Sequence, residues 1–80
     1  MVFDGKRYCY FIFESMKDEQ GNYRPGIAVD GEPGYYVTDY DYGTDFMFAQ
    51  MGVDKANEKI GVSVVDAMDI VASSMAAGSL

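Results

Sequence analysis

The chain has 80 residues, 49% apolar and 15% aromatic, with a formal charge of −7 and no histidine. That apolar content argues against a disordered chain, and the length holds one acidic domain, residues 1–80, near the lower limit for a self-sufficient core. The acidity argues against direct binding of nucleic acid, whose phosphates need a basic footprint; it suits a basic protein partner, or solubility alone.

The opening residues lack the charged start and apolar stretch of a signal peptide, and no apolar run reaches membrane-spanning length, so a cytoplasmic location is expected. Residues 6–14 are dense in aromatic and β-branched side chains and predict a strand. Tyr8, Tyr10 and Ile12 fall on one face and Cys9, Phe11 and Phe13 on the other. With both faces apolar, the strand is expected at the centre of its sheet. Gly21-Asn22 marks a hairpin-type turn, and residues 23–29 predict a second, antiparallel strand. Pro25 cannot donate to a ladder and belongs near the start of that strand or on an edge. A tight turn over residues 30–34 leads to a third strand over 35–39.

Thr44 is the expected N-cap of a first helix, whose buried stripe would be Phe46, Ala49, Val53, Ala56 and Ile60. Gly61 ends it, and Ser63 with Asp66 three residues on opens a second helix. Its predicted buried stripe is Val64, Ala67, Met68, Val71 and Met75, with Asp66, Asp69 and Ser73 on the wet face and a frayed end from Ala76. The expected fold is therefore α+β: a three-stranded antiparallel meander followed by two helices packed on one sheet face, β-β-β-α-α. Met47, Phe48 and Met51 lie off the first helix's stripe and are candidates for self-association as a homodimer.

Catalysis has little support. The lone Cys9 has no histidine to pair with and sits in an apolar run, as a small core residue does. Paired carboxylates could in principle hydrolyse a glycoside, but a domain this small offers little cleft. Asp39-x-Asp41-x-Gly43-x-Asp45 resembles the start of a calcium loop, in which alternating oxygens converge on a cation. Gln50, however, stands where a bidentate glutamate is needed. No enzyme activity, metal or cofactor is expected, with calcium or small-ligand binding kept as an alternative.

Between Pro25 and Gln50 there is no lysine or arginine, while Tyr35, Tyr36, Tyr40 and Tyr42 alternate with acids. Tyrosine gives large contact area at low entropic cost and stacks on guanidinium groups; carboxylates meet arginines where phosphates would otherwise sit. Asp30, Glu32, Asp39, Tyr40, Asp41 and Tyr42 are thus the candidate contacts to a basic, nucleic-acid-binding partner. One of Tyr35 and Tyr36 is expected in the core, leaving Tyr40 and Tyr42 as the better exposed pair.

The run GEPGYY from Gly31, DYGTD from Asp41, Ala56-Asn57, Gly61-Val-Ser63, Asp66-Ala67 and IVASSM from Ile70 resemble small acidic proteins of phages and bacterial mobile elements. The likeness spans residues 21–76 and carries no assigned chemistry. By size, charge and origin it implies an inhibitor of a host defence complex, as anti-CRISPR and antirestriction proteins are, acting as a nucleic-acid mimic.

Overall fold

The computed structural model describes residues 5–78. In chain order the elements are β1 (Tyr8–Phe11), β2 (Gly26–Val29), β3 (Tyr36–Val37), α1 (Phe46–Lys59) and α2 (Val64–Gly78). The expected meander followed by two helices is the observed α+β architecture, but the helices do not share one sheet face: both contact β1, and only α2 also contacts β2.

The strands form one antiparallel sheet in the order β1-β2-β3, with Cys9 opposite Ala28 and Ile27 opposite Tyr36. The expectation that the first strand is central is therefore corrected: two short connections make a meander, and its middle member is β2. Both apolar faces of β1 are nevertheless used, because both helices pack on this strand. Cys9, Phe11 and Ala28 meet Ile70 of α2, whereas Tyr10 and Ile12 lie with Ala49 and Val53 of α1. Met16 touches both clusters and joins them into one core.

The free edge of β1 is closed by a side chain. Asn57 of α1 is buried, its Oδ1 accepts from the Tyr10 N–H at 2.7 Å, and its Nδ2 donates to the Tyr10 carbonyl at 2.8 Å. One carboxamide thus replaces the pair of ladder bonds that a fourth strand would give, and blunts an edge that would otherwise template another chain.

All three strands are shorter than expected. After Phe11 the ladder lapses, returns as a single Lys17–Tyr23 bridge, and closes around Gly21, whose φ of 83° fits the predicted turn. Asp18 organises that turn, its Oδ1 accepting from the N–H groups of Gln20 and Asn22. Pro25 directly precedes β2 and offers its carbonyl to the Thr38 N–H at 2.9 Å.

Helix α1 is capped one residue later than expected. Asp45, not Thr44, accepts from the N–H groups of Met47 and Phe48. At the other end the Val62 N–H bonds the Asn57 carbonyl and the Gly61 N–H bonds that of Glu58, a Schellman closure in which Gly61 has a φ of 77°. In α2 the Ser63 hydroxyl caps the Asp66 N–H as predicted.

The buried stripes differ from expectation. In α1 they comprise Ala49, Val53 and Asn57, with Ala56 and Ile60 only partly covered; in α2 they comprise Ile70 and Ser74, flanked by Ala67 and Val71. Val64, Met68 and Met75 are exposed. The stripe is rotated because Ser74, a polar residue that periodicity reads as outward, bonds the Glu32 carbonyl at 2.6 Å and pins α2 to the β2–β3 turn. Residues 76–78 are helical; 79 and 80, the rest of the expected frayed end, lie outside the described residues.

Candidate binding surfaces

The acid–tyrosine stretch does not form one face. Asp30 and Glu32 sit beyond the C-terminal end of β2, and 39–42 run past its other end, where the Tyr42 N–H bonds the Tyr23 carbonyl. The seven-residue step from Tyr23 to Asp30 along an extended strand separates the two groups by roughly 23 Å.

The first group is already neutralised within the chain. Arg7 pairs with Asp30 at 3.0 Å, and Lys6 with Glu32 at 3.1 Å. The Ser73 hydroxyl, followed by Arg7, holds the Asp30 carboxyl below the usual aspartate range. Ser73, expected on the wet face of α2, is therefore used structurally.

In the second group the tyrosines turn toward α1. Tyr42 is half-buried against Gly52, and Tyr40, 67% exposed, stacks on it with ring centres 5.4 Å apart and planes 25° from parallel. A Cβ at Gly52 would collide with the Tyr42 ring, so this glycine is what lets the ring lie on the helix. Burial, then the neighbouring Tyr40 and Tyr10, pushes the Tyr42 phenol up. Asp39 and Asp41 form no ion pair among the described residues; the Asp41 Oδ1 accepts from the Gly43 N–H at 2.8 Å. The carboxylates of the calcium-like motif that do bond thus serve the backbone, Asp41 in a turn and Asp45 as the cap. Tyr35 and Tyr36 are both exposed, correcting the expectation that one is in the core; Tyr35 meets Phe11 edge-on at the surface. Cys9 is fully buried, its thiol pushed up to about 11 by burial and directed at the Ala67 carbonyl, so it is a core residue.

A surface that sequence reasoning missed lies between the helices. Their axes meet at 98°, so they diverge from the Gly61 connection and leave a groove of about 450 Å³. Phe11 and Val53 line its depth, exposed Val64, Met68 and Met75 form the α2 wall, and its one charged liner among the described residues is Asp54 of α1. The signal was present in the sequence as a surplus of apolar positions on α2, but periodicity assigned those residues to the core.

Met47, Phe48 and Met51 are 57 to 70% exposed on α1. No helix among the described residues is long and apolar enough to cross a membrane, although the bent α1–α2 pair passes on length and composition together. Comparison with protein-family models, curated proteins and solved structures finds no match to this chain.

Proposed function

We propose that the protein is a non-enzymatic, acidic protein-binding module that works in the cytoplasm. The observation carrying this reading is the inter-helix groove: an apolar recess whose only charged liner among the described residues is an acid, in a chain of net charge −7. Such a recess suits an amphipathic helix with a basic flank, because the groove takes the apolar face while the surrounding acidity steers and pairs the cations. Methionines on the wall adapt to the side chains that enter. Asp39 and Asp41 add an acidic approach beside the exposed Tyr40.

A partner of that character presents basic surface of the kind that holds nucleic acid, and occluding it would inhibit the partner. The resemblance to phage and mobile-element proteins suits a host defence complex as the target.

Affinity capture from a bacterial lysate, followed by binding measurements with the purified captured protein, tests this. Met68→Glu should abolish capture, and Asp39→Lys with Asp41→Lys should slow association by reversing the charge that steers a basic partner. Binding should also weaken with added salt, because exposed charges are screened within about 8 Å at physiological ionic strength. Asp66→Lys with Asp69→Lys, the same charge change on α2, is the control. Equal binding by Met68→Glu and wild type would dismiss the groove. Equal loss in both lysine pairs would mean that only net charge matters.

A second reading, homodimerisation, is favoured by the contiguous exposed Met47, Phe48 and Met51. Sedimentation at micromolar concentration should then give about twice the chain mass, falling to one with Met51→Glu. A single chain mass throughout would remove it.

A further inference from the structure

The chain has six lysines and arginines, and four of them are occupied inside the fold. Lys6, Arg7 and Arg24 pair with Glu32, Asp30 and Asp18, and Lys17 lies over the Tyr23 ring at 5.4 Å. The remaining two, Lys55 and Lys59, form no ion pair among the described residues. Both line one recess of about 430 Å³, one turn apart on α1. The stacked Tyr40 and Tyr42 line the same recess, with Tyr10 beside them. The two lysines that form no ion pair among the described residues thus both border one aromatic platform, on a helix segment whose other charges are Asp54 and Glu58.

Each part has a chemical counterpart. An exposed tyrosine ring presents a face on which another planar ring stacks, and this stacking is tolerant of ring type. Two neighbouring ammonium groups suit a phosphate, for which lysine acts as a compact point charge with several donors. The volume suits a small molecule, lying within the roughly 300–1,000 Å³ of ligand pockets. The Thr38 hydroxyl at its margin already donates to the Pro25 carbonyl at 2.8 Å, which leaves little to read the edges of a ring.

We propose that this recess binds a mononucleotide, the base stacked on Tyr40 and the phosphate held between Lys55 and Lys59, with little preference among bases. The free nucleotide is favoured over a strand, because a longer polyanion is repelled by the rest of the chain. The recess lies on the other side of Tyr10 from the groove between the helices, and neither of its lysines lines that groove.

Amide-resolved NMR titration of the full chain with AMP tests it, with adenosine, inorganic phosphate and a short single-stranded oligonucleotide as parallel arms. AMP should shift the amides of Tyr40, Tyr42 and Gly52 at millimolar concentration or below, and adenosine and phosphate should each bind at least tenfold more weakly. Lys55→Gln with Lys59→Gln should weaken AMP about tenfold or more, the worth of one charge-assisted hydrogen bond, while Lys17→Gln leaves it unchanged. Both replaced lysines are exposed, so an unchanged spectrum away from the recess verifies the fold. Adenosine binding as tightly as AMP would remove the phosphate site, and phosphate binding as tightly would remove the stacking site. Tighter binding of the oligonucleotide would replace the free nucleotide by a strand end, and absence of any shift would overturn the proposal.

Discussion

Replacing Asn57 by alanine removes both partners of the Tyr10 peptide group at once, since one carboxamide accepts from its N–H and donates to its carbonyl. Leaving two shielded backbone groups unpaired costs on the order of 3 kcal/mol, less whatever water recovers. A shift of the urea midpoint corresponding to that loss is expected, together with a greater tendency to aggregate through the uncovered β1 edge. A midpoint unchanged within error would show that the edge needs no cover. Gly52→Ala sets two effects against each other. Alanine is favoured over glycine in a helix by about 1 kcal/mol, but overpacking against Tyr42 costs about 1–3 kcal/mol. The collision with the packed ring should win, giving a net loss of about 1 kcal/mol and a broken Tyr40–Tyr42 stack. A more stable Gly52→Ala variant would mean that the ring moves aside freely.

At the scale of elements, the caps show what local chemistry determines. Both Thr44 and Asp45 are good N-cap residues, and sequence alone favoured the first. The structure selects Asp45, extended at φ −96° and ψ 112°, with its carboxylate on two N–H groups. Asp45→Ala should therefore cost about 1 kcal/mol in thermal or chemical unfolding, whereas Thr44→Ala should change little. The reverse order would move the helix start by one residue. Helix α2 illustrates the opposite case. Its apolar side chains are numerous enough to define several plausible stripes, and the choice between them is made by Ser74 bonding the Glu32 carbonyl. The outcome leaves Val64, Met68 and Met75 as a groove wall rather than as core.

At the scale of the whole molecule, acid should act through two carboxylates among the described residues. Asp18 is held below its ordinary range first by the Asn22 N–H and then by Arg24; Asp30 is held down by the Ser73 hydroxyl and then Arg7. With the folded value below the unfolded one, each contributes stability that is fully present above the ordinary aspartate value of about 3.9 and is lost as pH falls through the depressed value. The melting temperature should stay level from neutral pH down to the usual carboxylate range and then fall. Asp18→Asn should lower it at neutral pH and flatten the acid limb. A melting temperature indifferent to acid would contradict this.

The order of strands and helices, the turn at Gly21 and the closure at Gly61 were legible because each rests on local chemistry: hydrophobic period, left-handed glycine, cap hydroxyl. The position of β1 was not. Two apolar faces read as a central strand, yet an edge strand looks the same once two helices cover it and a side chain closes its edge. Asn57 and Ser74 escaped for one reason. A polar residue predicts an outward position until a backbone group, 47 residues away for Asn57 and 42 for Ser74, supplies its partner. The acid–tyrosine stretch was visible as composition, but its division between the two ends of β2, and the ion pairs that occupy Asp30 and Glu32, arise from contacts between distant segments. Local periodicity fixes what each segment can be; long-range pairing of buried polar groups fixes which face it turns inward.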